Sequence, residues 1–234
     1  MNFIFDLYGT LIDIKTNEEK AAPWRTLSGR LRGCRRRYSW ARDAYKRLCE
    51  DEVKYEGHEF DLLRVFEKML LAEGQDKAGA AILAHEFRDA SMEKLQLFPC
   101  VQEMLTGLRA RGARVYLLSN AQACFTMREL NAMGLTELFD GIIISSDVEW
   151  KKPHGEIFKI AFEKFGISKE DSYYVGNDLR DDVFGAHSAG LSTVYIETEQ
   201  SRDYPGESLP SPDFVARDHE HLCSLLFDLT KKSR

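Results

Sequence analysis

The first chemically suggestive residue is a carboxylate closing a short apolar run. FIFDLYGTLID sets Asp6 after residues 3–5 and ahead of Tyr8, Gly9 and Thr10. A carboxylate at a buried strand end is costly unless it is paired or used. Leaving a strand's carboxyl end, it points into the crevice where open parallel sheets bind ligands. Asp6 is thus placed where a carboxylate can act on a bound ligand. Three later segments also place polar residues behind apolar runs: Ser119 and Asn120 after VYLL, Lys152 before Pro153, and Asn177, Asp178, Asp181 and Asp182 after YYVG. Singly, these read as helix caps, a surface lysine, and acids favoured in a helix's first turn. Together, at four strand ends in succession, they form a pattern that chance rarely supplies.

The elements needed to position them can be read from periodicity. From Pro99 onward short apolar strands alternate with amphipathic helices: VQEMLTGLRARG, RVYLLSN, TMRELNAMG, GIIISSD, GEIFKIAFEKFG, SYYVGND, DDVFGAHSAG, STVYIE, FVAR and HLCSLLFDLTKK. That alternation predicts a parallel sheet covered by helices on both faces, to which the opening strand belongs. Between residues 14 and 95 no strand is expected. Helical spacing of Trp24, Leu27 and Leu31, and of Phe60, Leu63, Phe66, Met69 and Leu70, predicts about four helices there. The fold class is therefore α/β, a doubly wound, Rossmann-like parallel sheet over 1–13 and 96–234, with an all-helical cap inserted at 14–95.

Composition narrows the function. A net charge of -6 argues against a nucleic-acid binder. No apolar run approaches the roughly 18 residues of a membrane span, and the first apolar stretch breaks at Asp6, unlike a signal peptide. The five cysteines are scattered, with no CxxC and no Cys/His cluster, which reads as reduced thiols in a cytoplasmic protein rather than a disulfide framework or zinc site. The expected partner is a small anionic molecule, not nucleic acid or membrane; the chain reads as a monomer or homodimer.

The four segments resemble the motifs of the haloacid dehalogenase superfamily of hydrolases. DLYGT is similar to that family's DxDxT at Asp6 and Thr10, VYLLSN to its strand ending at Ser119, KKP to its lysine at Lys152, and GNDLRDD with GAHSAG to its acidic fourth motif. The resemblance implies Asp6 as nucleophile, with Thr10, Ser119 and Lys152 completing the catalytic set. An opposite charge within about 4–6 Å keeps a carboxylate ionised, which is the part implied for Lys152. Tyr8, Gly9 and Asn120 are implied in binding the transferring group through their backbone amides, beside the Ser119 and Thr10 hydroxyls. A phosphoryl substrate further implies Mg²⁺, a hard ion that takes oxygen ligands; the implied ligands are Asp6, the Tyr8 carbonyl, and Asn177, Asp178 or Asp182.

Tyr8 departs from the family pattern, because the phosphatases carry there an aspartate that protonates the leaving group. A phenol of pKa about 10 is a weaker acid, and a DxYGT opening is similar to the metal-independent 2-haloacid dehalogenases. The fourth motif points the other way, with phosphatase-like spacing from Asn177 to Asp182 and carboxylates crowded behind. Mg²⁺-dependent hydrolysis of a small phosphorylated metabolite is the favoured reading; dehalogenation and a silent binding module are the alternatives. Within the cap, Arg30, Arg32, Arg35, Arg36, Arg37, Arg42 and Lys46 reverse the overall charge locally, which reads first as a solvated basic face.

Overall fold

The computed structural model describes residues 1–31 and 38–232. Arg32, Cys34, Arg35, Arg36 and Arg37 of the basic run lie outside them. From β1 (Asn2–Phe5) the chain passes through β2 (Ile12–Thr16) into four helices, α1 (Ala21–Arg30), α2 (Tyr38–Glu52), α3 (Leu62–Ala72) and α4 (Ala80–Ser91), and returns along β3 (Met92–Leu97). Strands and helices then alternate: α5 (Val101–Ala110), β4 (Arg114–Ser119), α6 (Ala123–Ala132), β5 (Gly141–Ile144), α7 (Ser145–Val148), α8 (Gly155–Phe165) and β6 (Ser172–Gly176). A π-helical turn at Leu179–Phe184 leads into α9 (Gly185–Ser188), followed by β7 (Ser192–Ile196), β8 (Phe214–Ala216) and α10 (His219–Lys232).

Six strands form one parallel sheet in the order β5-β4-β1-β6-β7-β8. β1 lies between β4 and β6, with Phe5 opposite Leu117 on one side and Val175 on the other. The winding direction reverses at this strand, so its carboxyl end opens into the sheet's natural binding crevice. Alternation along the strand divides the core: Phe3 and Phe5 pack with α5 and α10, while Ile4 faces the cluster containing Phe158 and Tyr174.

The inserted helices carry their own core, in which Trp24, Leu27, Phe66, Leu83 and Phe87 are buried together with Phe125 of α6. Gln122 adds a polar tie between the two parts. It accepts the Leu62 N–H at 2.7 Å and donates to the Phe60 carbonyl at 3.0 Å.

Three local expectations are corrected. The insertion is rooted on an antiparallel ribbon, β2 against β3, that pairs Ile12 with Leu97 and Ile14 with Leu95. IDIKT and MEKLQL are half polar and lack the continuous apolar run of a buried strand, which hid them. GIIISSD stops being a strand at Ile144, because the Ser145 and Ser146 hydroxyls take the Ala121 and Ala123 N–H groups and the chain turns into α7. DDVFGAHSAG is not one regular helix; Asp178 caps a π-helical turn before α9 begins.

Candidate active site

Asp6 directly follows β1, and its N–H bonds to the Val175 carbonyl at 2.9 Å, which fixes it at the sheet's edge. Its carboxylate is 7% exposed. Lys152, from the loop before α8, puts Nζ 2.8 Å from Asp6 Oδ1, 2.6 Å from Asp182 Oδ1 and 2.7 Å from the Tyr174 hydroxyl. An ammonium has three N–H donors, and all three meet an acceptor here. Tyr174 in turn donates to the Leu118 carbonyl at 2.8 Å. Burial works against the charge on Lys152, but Asp182 and Asp6 beside it outweigh burial and hold its pKa well above the ordinary lysine value. Asp182 is shifted upward, chiefly by burial, with Lys152 opposing the shift.

The hydroxyls stand on either side of Asp6. Ser119 Oγ, at the end of β4, is 3.4 Å from Asp6 Oδ1, while Thr10 Oγ1 is 3.3 Å from Oδ2 and 3.2 Å from Asn177 Oδ1. Asn120 clamps the lysine loop, accepting the Lys152 N–H at 2.7 Å and donating to its carbonyl at 2.9 Å. The Asn120 side chain is thereby committed to holding Lys152. Gly9 is similarly committed, since its N–H bonds to the Ile12 carbonyl at 2.9 Å. It has φ +84°, and a Cβ there would meet Asn177 Nδ2 at 2.4 Å, so both the turn and the close approach require glycine. A Cβ at Gly176 would likewise stand 2.4 Å from Asp182 Cγ.

The fourth-motif acids are arranged unequally. Asp182 Oδ2 accepts the N–H groups of Asn177 and Asp178 at 3.1 and 3.0 Å, and with Oδ1 on Lys152 both its oxygens are committed. In this arrangement Asp182 orients the lysine and the loop. Asp178 caps the π-helical turn through the Arg180 and Asp181 N–H groups, receives the Tyr204 hydroxyl at 2.8 Å, and lies 3.2 Å from Arg202 Nε. Burial, followed by the neighbouring Asp178, raises the Asp181 pKa.

Above Asp6 lies a cavity of about 210 Å³. Four carboxylates line it, those of Asp6, Asp178, Asp181 and Asp182, against two cations, Lys152 and Arg202. Surplus negative charge and an all-oxygen donor set fit a hard divalent cation. Among the described residues no three acidic, histidine or cysteine side chains converge to hold a metal by themselves.

The profile of the haloacid dehalogenase-like hydrolases matches residues 1–190, most of the chain. The chain belongs to this family of hydrolases. Among its relatives is a glyceraldehyde 3-phosphate phosphatase from Methanothermobacter thermautotrophicus, 30% identical over 121 residues; the match covers 50% of this chain, which spans about half (54%) of that relative. The Methanopyrus kandleri protein of the same name is 28% identical over 194 residues, 81% of each chain. In fold the chain is similar to a 2-haloacid dehalogenase from Pseudomonas syringae (TM-score 0.69, 20% identity, 100% and 99% covered) and to a magnesium-bound HAD-hydrolase from Bacillus subtilis (TM-score 0.57, 21%, 96% and 97% covered).

Within this hydrolase, Asp6, Thr10, Ser119, Asn120, Lys152, Asn177 and Asp182 form one connected network. Tyr8 points elsewhere: its hydroxyl bonds to Glu129 and, at 3.0 Å, to Thr126 of α6. Sequence reasoning missed Tyr174, Glu129, Arg202 and Tyr204. Tyr174 alone left a trace, as one of two adjacent tyrosines that alternation must send to opposite faces. No helix among the described residues is long and apolar enough to cross a membrane.

Proposed function

We propose that this hydrolase cleaves a small phosphorylated metabolite with the help of Mg²⁺, through a phosphoaspartyl intermediate on Asp6. The observation that carries this reading is the buried Lys152 ammonium held between Asp6 and Asp182 at the floor of an acidic, oxygen-lined cavity. The paired cation favours the ionised nucleophile. Asp6 attacks phosphorus, the ester oxygen departs with its electron pair, and water then cleaves the phosphoaspartyl bond to return the carboxylate. Ser119 and Thr10 flank the attacking carboxylate and offer hydroxyls to phosphoryl oxygens. Asp6, the Tyr8 carbonyl and Asn177 or Asp178 would hold the cation, whose chemistry is to offset phosphoryl charge. The relatives' names, which are phosphatases, support the same class.

A panel of phosphomonoesters with Mg²⁺ tests this. Turnover that chelation suppresses and Asp6→Asn abolishes is expected. No turnover, or turnover indifferent to metal, overturns it.

One observation favours a second reading. Tyr8 stands where the family's phosphatases carry an acid, and its hydroxyl is bound to Glu129. A halide leaving group needs no proton. Metal-free chloride release from 2-chloropropionate supports dehalogenation, and its absence excludes that substrate.

A further inference from the structure

The cavity over Asp6 is not a closed chamber. Asn120, Lys152, Asp181 and Arg202 also line an adjoining, larger cavity of about 550 Å³. Its remaining wall brings Lys151, His154 and Arg180 together, with Glu56 the one further acid. In a chain of net charge -6 this is a local reversal of sign, set beside the proposed nucleophile rather than out on the cap.

Backbone hydrogen bonds hold the segment that carries Lys151 and His154. Lys151 donates its N–H to the Gly57 carbonyl at 3.1 Å, and the His154 N–H bonds to the Lys151 carbonyl at 3.0 Å. The His154 ring stacks on Trp150 with centroids 4.2 Å apart. His154 Nδ1 accepts the Glu156 N–H at 3.3 Å, capping α8. In the neutral ring the proton is therefore on Nε2, leaving a donor there. Lys151 is exposed and makes no ion pair among the described residues. Arg180 has only a loose pairing, 3.7 Å from a half-exposed Glu207.

A group of cationic donors on one cavity wall suits an anion. Neither a metal ion nor a nucleic acid fits: the first is repelled by the lysine and arginines, and the second needs a basic surface far larger than this. We propose that this side cavity binds a second anionic group of the substrate, a carboxylate or a phosphate, while the scissile phosphoryl group lies over Asp6. The inference rests on the phosphohydrolase reading and deepens it. Lys151, Arg180 and His154 become specificity-determining residues: forked guanidinium donors and an ammonium both recognise carboxylate and phosphate oxygens. Lys152 takes no part, because its three donors are already taken.

The test compares three phosphomonoesters of equal chain length, whose far end is a methyl, a carboxylate or a second phosphate. The expected wild-type result is a kcat/KM at least about tenfold higher for an ester with a charged end than for the methyl ester, a difference equal to one or two charge-assisted contacts. The better of the two charged ends identifies the anion. The double variant Lys151→Ala/Arg180→Ala should reduce that preference ratio about tenfold, mainly through KM. Its thermal unfolding midpoint serves as the check on folding. Equal efficiency for all three esters overturns the inference while leaving the phosphohydrolase reading intact, as does a preference the double variant retains. No turnover of any ester overturns the underlying reading and this inference with it.

Discussion

Tyr8 gives its hydroxyl to the carboxylate of Glu129, not to any group around Asp6. Burial and then the Glu129 charge push the phenol's pKa above its ordinary value, so Tyr8 is unfit to release a proton at neutral pH. The expected outcome for Tyr8→Phe is a kcat loss far smaller than the about 10²–10⁴-fold that removal of a general acid causes. Steady-state rates on a phosphomonoester decide it, and a hundredfold loss would return Tyr8 to an acid's role.

Glu129 does more than hold Tyr8. It also receives Arg88 Nε of α4 at 2.7 Å, which ties the inserted helices to α6 of the sheet domain. Glu129 is 4% exposed and Arg88 15%. Glu129→Ala leaves a mostly buried guanidinium without its partner, and breaking such pairs costs about 3–5 kcal/mol. Urea unfolding should show a loss of that order. A loss below about 1 kcal/mol, the range of surface pairs, would mean the tie is solvent-screened.

Lys152 is the group on which the site's charge depends. Lys152→Met should abolish turnover and also destabilise the fold, because Asp182, 1% exposed, loses its cation. Adding Asp182→Asn to Lys152→Met removes the orphaned charge, so part of the lost stability should return without activity. Denaturation midpoints and turnover measured on the two variants separate the roles. If the double variant is no more stable than the single one, Asp182 is not held by the lysine's charge.

The sheet was legible in the sequence because it follows from short-range pattern, continuous apolar runs for buried parallel strands with polar residues where those runs stop, whereas the pairing of Lys152 with Asp6 was implied only by the family resemblance. The β2–β3 ribbon escaped for the opposite reason, since its strands face water on one side and mix Lys, Glu and Asp with their apolar residues. Glu129 and Tyr174 escaped because nothing local marks them. Glu129 sits in an amphipathic helix 121 residues from Tyr8. Tyr174 reaches Lys152 only once the fold brings β6 against the loop before α8. Asp182 shows the limit of motif spacing, which does not reveal that its partners are the lysine and two backbone amides. Only the fold shows that both of its oxygens are occupied.

A pH dependence of stability should arise from His219. Its Nε2 donates to the Thr10 carbonyl at 2.9 Å and its ring stacks on Phe98 at 4.2 Å, with 8% of the residue exposed. Burial lowers its pKa, against the raising influence of the Thr10 carbonyl, Asp218 and Asp13. The native state therefore keeps a neutral ring where the unfolded chain, with a pKa near 6.5, takes up a proton. Stability from this source is complete above about pH 6.5 and falls as pH drops through the lowered folded value. His58, also shifted down by burial, acts in the same direction. Thermal midpoints measured from about pH 7.5 down to about 5.5, roughly one unit either side of that reference, should fall for the wild type. They should fall less steeply for His219→Gln, which retains an amide donor for Thr10. An identical slope in the two proteins would show that His219 titrates alike in the folded and unfolded chain.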